Sequence, residues 1–346
     1  MGDRRSRELI AQANEEAWET AAQDVAAARR LARELAETSA ELGLTREAAR
    51  AHRTLGYVEI MEASPEAALL ELDQAERLAR ESGDTPTLAT IRDVQSNAHY
   101  MLSSFDRAFD LAHESRELFL QCGDQRGVAW SYHNVGMIYQ ATGDTRRAEE
   151  AWKESLRLFS ELDYPFGRAR LNQILGDLYR EDLGQAEAAL EYYRQSLDCG
   201  AVSGSAFAEA GPLLGMAITL RQLGRTDEAA EYLRRAEEVN RGEGFYFARI
   251  RLEQARLQQQ LGNPEDALVL LTDALSSIQE DSQLPVAADV YALLSEIAET
   301  TERYGEALEY YRRYHDLQAR IMDSEAATNL RNAEIRIAIQ KSEDEA

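Results

Sequence analysis

An internal period constrains this chain more than any other feature. Gly56, Ser96, Gly136, Gly176, Ala217, Ala255 and Ser295 recur at steps of about 40 residues. Each is followed 12 or 13 positions later by an alanine: Ala68, Ala108, Ala148, Ala189, Ala229, Ala267 and Ala307. A period of this length is that of stacked helical hairpins, each burying its apolar face against its neighbours. The small residue and the alanine share one physical reason. Helices A and B of a hairpin cross closely, and a leucine at the crossing would overpack it by about 1–3 kcal/mol. An array of this kind is a binding surface unless a catalytic motif says otherwise.

The third repeat shows the pattern most plainly. Val128, Tyr132, Val135 and Tyr139 recur at helical spacing, Gly143-Asp144 breaks the helix, and Ala148, Trp152, Leu156 and Phe159 resume the apolar stripe. Gly83-Asp84, Gly123-Asp124 and Asp163-Tyr164-Pro165 stand where one helix B must stop before the next helix A. Pro65 and Pro264 stand just inside the starts of B helices. This register sets hairpins at 45–81, 85–121, 125–161, 165–200, 205–241, 244–280 and 284–323, seven repeats within 45–323. Residues 1–44 are expected to form N-terminal capping helices, a B-like helix behind a short or degenerate A helix. The stretch 199–212, rich in small residues and holding Pro212, is expected to be a longer linker and a hinge.

These residues resemble the tetratricopeptide repeat (TPR). Val135 to Ala148, VGMIYQATGDTRRA, is similar to the family pattern L-G-x-x-Y-x-x-x-G-D-x-x-x-A, and LGDLYREDLGQAEAA in repeat four carries one extra turn residue. Repeats one, two and seven keep the small positions without the Gly-Asp turn. The step of about 40 residues is similar to the long-helix subgroup of bacterial peptide-sensing regulators and sensor regions of signalling proteins. The resemblance implies an all-α, right-handed superhelical solenoid whose A helices line a concave groove for peptides or proteins.

It also places positions two, five, nine and twelve of helix A, counted with the small residue as eight, on the concave face. The candidate groove residues are Arg50, Arg53 and Tyr57, then Asp93, Asn97 and Tyr100, then Trp130, His133 and Met137, then Arg170, Gln173, Asp177 and Arg180. Arg221, Arg249 and Arg256 follow in later repeats. Asparagine pairs with a peptide amide, arginine forks onto a carboxylate, and Trp and Tyr supply apolar area. The competing reading is that these side chains pair with neighbouring acids and bind nothing. The family's carboxylate clamp of Lys and Asn is not reproduced, because Lys153 and Lys341 are the only lysines.

Composition narrows the function classes. The net charge is −24, from 62 acidic against 38 basic residues, which disfavours nucleic acid and anionic membrane as partners. Cys122 and Cys199 suggest neither a disulfide framework nor a metal site. No signal peptide or membrane-spanning run is present in the sequence, and a cytoplasmic location is expected. There is no P-loop, G-x-G-x-x-G, H-E-x-x-H or C-x-x-C motif, and the five histidines have no ligand spacing. No cofactor, metal or catalytic residue is expected, and the region is read as non-enzymatic.

From Ala307 to Ala346 the sequence contains no Gly or Pro and is expected to be one helix over about 305–342. Ala326, Leu330, Ala333 and Ile337 step as a coiled-coil seam would, so residues 324–346 are expected to pair in a homodimer. The alternative is a helix that folds back on the last repeat. The segment resembles the helix that leads from TPR sensors into output domains such as diguanylate cyclases. The expectation is therefore a protein- or peptide-binding sensory region of a bacterial signalling protein, relaying binding through its C-terminal helix to an output domain, with a diguanylate cyclase first among them. A stand-alone scaffold or assembly chaperone, and a peptide-responsive regulator, are the alternatives.

Overall fold

A computed structural model of the protein describes residues 2–21, 24–203, 206–240, 246–278 and 283–323. These described residues are all-α, with no strand among them. They form two compact units, with the boundary between Leu162 and Asp163.

In the first unit, α1 (Gly2–Thr20) and α2 (Val25–Glu41) precede three hairpins. These are α3 (Thr45–Met61) with α4 (Pro65–Ser82), α5 (Thr85–Met101) with α6 (Phe105–Cys122), and α7 (Gln125–Ala141) with α8 (Thr145–Glu161). The second unit holds α9 (Pro165–Glu181) with α10 (Ala186–Ser203), α11 (Ala206–Gln222) with α12 (Thr226–Asn240), and α13 (Phe247–Gln260) with α14 (Pro264–Ser277). It ends with α15 (Leu284–Thr300) and α16, which occupies 304–323 among the described residues.

Two expectations need correction. Helix α1 is 19 residues long rather than short or degenerate. The stretch 199–212 is not a long linker: α10 runs to Ser203, α11 begins at Ala206, and Pro212 lies inside α11. Helix α11 continues through Pro212, which lacks the N–H for one backbone bond and whose ring crowds the carbonyl four residues earlier.

Outside repeat four, whose longer turn closes by Gln185 N–H to Tyr179 O at 2.7 Å, the hairpin turns share one geometry, whatever residue occupies them. Gly143 donates its N–H to Gln140 O at 3.0 Å and Asp144 donates to Tyr139 O at 2.9 Å. This pair of bonds is a Schellman closure, and it requires a left-handed residue after the helix. Gly143, Gly224 and Gly262 meet that requirement at φ +83°, +76° and +83°. In repeats one, two and seven, Ala63, Ser103 and Glu302 take the same conformation at φ 56°, 55° and 60°, and Ser64, Ser104 and Arg303 make the equivalent long bond. Tertiary packing thus enforces the turn where the Gly-Asp signal is missing, against a cost of order 1 kcal/mol for a non-glycine residue.

The crossing explains the period. A Cβ added at Gly56 would lie 2.6 Å from Leu72 Cγ and 3.3 Å from the carbonyl of Ala68. At Gly136 it would collide with the Trp152 indole, and at Gly176 it would lie 2.6 Å from Tyr193 Cε1. Where serine replaces glycine, its hydroxyl donates to the same alanine carbonyl: Ser96 to Ala108 O at 2.7 Å and Ser295 to Ala307 O at 3.0 Å. In repeats one to four the residue four after the alanine compensates in size. Leu72, Trp152 and Tyr193 sit over glycines, and Ala112 follows in the repeat whose small position is Ser96.

A second point of close approach lies one heptad further along helix B. The hydroxyls of Ser115, Ser155 and Ser196 donate to the carbonyls of Ala89, Ala129 and Ala169 at 3.1, 2.7 and 2.7 Å. Ala75, Ala236 and Ala274 occupy the equivalent positions in other repeats and are fully buried. The two crossings fix each hairpin's angle and so fix which A-helix side chains stay uncovered.

Candidate functional site

The A-helix faces were expected to carry the site, and in the first unit most of that face is engaged within the chain. Asp84 precedes α5 with its side chain almost fully buried, accepting from Thr87 Oγ1 at 2.8 Å and from Arg50 Nε at 3.1 Å. Arg50 therefore braces the start of the next A helix. Arg53 is 6% exposed, and its guanidinium carbon lies 4.1 Å from the centre of the Trp18 ring. Burial pulls its pKa down to about 10, and its Nε and Nη2 have no partner among the described residues. Tyr57 packs on the same indole at 4.9 Å. Trp18 of α1 thus covers Arg53, which the family resemblance had placed on an open face.

Further along this unit, Asp93 Oδ1 accepts from Asn134 Nδ2 at 2.8 Å. Burial, aided by Asp124, pushes the Asp93 carboxyl up to about 7 despite that bond. His133 is buried, its Nδ1 lies 3.1 Å from Asn134 Oδ1, and its carbonyl accepts from Trp152 Nε1. Trp130 meets His133 and Phe159 edge-on at 5.4 and 5.0 Å and is half-buried. Asn97 and Met137 are half-buried on α5 and α7. Tyr100 packs with Phe105 against the apolar cluster that includes Ala108, Val135 and Ile138.

In the second unit, Gln173 is buried against the α11 backbone at Gly211. Tyr193 is fully buried, wedged between Gly176 of α9 and Gly215 of α11. Its hydroxyl donates to Asp177 Oδ1 at 2.7 Å and accepts from Arg180 Nε at 3.1 Å. Burial raises the pKa of both Tyr193 and Asp177. Arg180 also pairs with Glu181, so this trio locks α9 to α10. Arg170 is half-buried.

Sequence reasoning missed a feature shared by the two units. Arg92 donates from Nη2 and Nη1 to the two oxygens of Glu76 at 2.8 and 2.9 Å, and its Nη1 also donates to Gln95 at 2.8 Å. Its Nε lies 3.0 Å from Glu114, and Gln95 in turn donates to Glu76 at 3.0 Å. Arg251 repeats this clasp with Glu237 at 2.8 Å, Asp273 at 2.7 Å and Gln254 at 2.8 Å. Each clasp ties an A helix to the B helices before and after it. The signal was an Arg-x-x-Gln four residues ahead of the small position.

The second unit also carries an open cavity of about 430 Å³, lined by Arg221 of α11, Arg256, Gln259 and Gln260 of α13, and Leu293 and Glu296 of α15. Glu253, 5% exposed, stands behind it. It accepts from Arg221 Nε at 3.1 Å and from Arg256 Nη1 at 2.5 Å, while Arg256 Nη2 reaches Asp289 at 3.0 Å. Gln259 Nε2 donates to Glu296 at 2.8 Å. Arg221 and Arg256 were among the arginines expected on this face. Their assembly around one carboxylate was not legible, because it joins side chains 32 residues apart.

The dimer positions Ala326, Leu330, Ala333 and Ile337 lie outside the described residues. Among the described residues no group of three or more His, Cys, Asp or Glu side chains is placed to hold a metal ion. No described helix is long and apolar enough to cross a membrane.

Comparison with known proteins places this architecture. A signal transduction ATPase with numerous domains (STAND) protein with a tetratricopeptide repeat sensor, from Pyrococcus horikoshii, superposes at a TM-score of 0.68 with 16% identity. The match covers 93% of this chain and 49% of that one, so the chain spans about half the length of that protein. The apo quorum sensor NprR from B. thuringiensis gives 0.63 and 16%, over 89% and 87% of the two chains. A Rap conjugation gene regulator of the plasmid pLS20, in complex with the Phr* peptide, gives 0.59 and 14%, over 80% and 76%. Identities this low establish the fold alone. No curated protein matches the sequence. The family described as the MalT-like TPR region matches residues 86–335, well over half of the sequence. With its helical hairpins, its close crossings and this match, the chain belongs to the family of MalT-like TPR regions.

Proposed function

We propose that the chain is a protein- or peptide-binding module and the sensory region of a bacterial signalling protein. The observation that carries the reading is the cavity in the second unit. It opens on three successive A helices, α11, α13 and α15, and its lining mixes two arginines, two glutamines, a carboxylate and a leucine. Amide and guanidinium donors beside an apolar contact are what an extended peptide requires. Asn97, Trp130 and Met137 form a second, half-covered set on α5 and α7 of the first unit. The relatives support the reading by kind: one carries a TPR sensor, one is a quorum sensor, and one is in complex with a peptide.

Binding at such a face is relayed, in this proposal, through the C-terminal helix to an output domain. The diguanylate cyclase expected from the tail resemblance has no counterpart among these relatives, of which one is a STAND ATPase. The test is selection of peptides from a random display library on the full chain, followed by affinity measurement with variants. Asn97→Arg with Met137→Glu obstructs the first face, Arg221→Gln alters the second, and Arg157→Ala changes an exposed B-helix residue. At least about tenfold weakening by an A-face variant, with Arg157→Ala neutral, is expected. Peptides that bind and are displaced only by the B-helix change would overturn the reading.

A further inference from the structure

The two cavity arginines are not equivalent. Arg256 uses Nη1 on Glu253 and Nη2 on Asp289, so its terminal nitrogens are both engaged. Arg221 uses only Nε, and its Nη1 and Nη2 have no partner among the described residues. Glu253 is held on both oxygens, one by each arginine, and is nearly buried. It therefore fixes the Arg221 guanidinium by its Nε while leaving the terminal edge of the fork open. That edge belongs to a side chain that lines the cavity. A guanidinium pre-set in this way is matched by a planar two-oxygen acceptor, which it grips with two parallel bonds.

We propose that this cavity takes a single carboxylate of a peptide on the terminal nitrogens of Arg221, with the amides of Gln259 and Gln260 pairing with the peptide backbone. The inference rests on the peptide-binding reading above and names the group that is recognised. The volume of about 430 Å³ falls in the range of about 300–1,000 Å³ usual for small-ligand sites and admits a short segment. Leu293 supplies the apolar contact, and Gln260 is exposed with no bonded partner among the described residues. Charge sets the number of carboxylates. Glu296 lies on the lining and the whole chain carries −24, so an acidic tract or a dianion is repelled. The cluster itself sets Arg221 and Arg256 against Glu253, Asp289 and Glu296, so a bound carboxylate is held by the two directed bonds from the Arg221 fork rather than by net charge. That group comes from a peptide C-terminus or from one Asp or Glu side chain.

The experiment offers the full chain three pools of random pentapeptides at about 0.15 M salt. One pool has free C-terminal acids and no Asp or Glu. One is the same pool amidated. The third is amidated and carries one glutamate. Retained peptides are identified by mass spectrometry. Retention of the first or third pool over the second by at least about tenfold is expected, and which of the two is retained identifies the source of the carboxylate. Arg221→Lys keeps a charge for Glu253 and removes the fork, so it abolishes that preference at an unchanged melting temperature. Gln260→Trp fills the mouth and lowers retention of every pool, and it serves should Arg221→Lys fail to fold. Equal retention of the carboxylate-free pool, blocked by Gln260→Trp, overturns the carboxylate inference and leaves peptide binding standing. No retention of any pool overturns both.

Discussion

The clasp at Arg92 in the first unit and the cluster at Arg221 in the second both bury an arginine against carboxylates, yet they differ in what remains unused. Every nitrogen of Arg92 has a partner, and the side chain is 10% exposed between three helices. Arg221 is 18% exposed, is fixed through one nitrogen, and borders a cavity. A saturated buried arginine holds helices together. An arginine with spare donors, held still by a buried carboxylate, is equipped to hold something else. Burial of charge alone does not mark a functional site; unspent hydrogen-bonding capacity beside open volume does.

The comparison breaks most visibly at Arg92. Arg92→Ala removes the charge-assisted bonds that join three helices, leaving Glu76 with only Gln95 and Arg80, and is expected to cost about 2–3 kcal/mol, measured by urea unfolding. The equivalent Arg251→Ala is expected to cost about half of that, since Glu237 and Asp273 are 36% and 44% exposed. Equal costs would show that the clasps do not act through burial. Next in size is Gly136→Ala, which drives a methyl into the Trp152 indole and is expected to lose about 1–3 kcal/mol, most of it recovered when Trp152→Leu is added. Loss of additivity between the two changes is the readout.

A pH series sharpens the contrast between satisfied and strained groups. Asp93 has its folded pKa raised from the usual 3.8 to about 7, so its contribution favours the fold at low pH and is lost as pH rises towards 7. Asp93→Asn keeps a side-chain partner for Asn134 and is expected to flatten the fall in stability between about pH 4 and 7. An unchanged slope would contradict the assignment. The smallest effect is expected at the turns. Ala63→Gly, Ser103→Gly and Glu302→Gly each relieve a left-handed non-glycine residue and should raise stability by about 0.5–1 kcal/mol.

Much of the fold was legible because the crossing leaves a residue-level trace. Only a small side chain fits at Gly56, Ser96 or Gly136, so the period appears in the sequence itself. The turns of repeats one, two and seven were less legible, because Ala63, Ser103 and Glu302 carry no left-handed preference and take the conformation under the constraint of the packed hairpin. The site was harder still. The resemblance places Arg53 on the inner face of α3, but Trp18 from α1 covers it, and that helix was expected to be short or degenerate. The Glu253 cluster draws on α11, α13 and α15, and no local pattern encodes which carboxylate two distant arginines will share.

Hydrogen exchange of the full chain, with and without a peptide chosen by library selection, tests the central claim most directly. The account predicts added protection on A helices, strongest on α11, α13 and α15, with α4, α6, α8, α12 and α14 unchanged. Protection gained on those B helices, with none on the A helices, would contradict it.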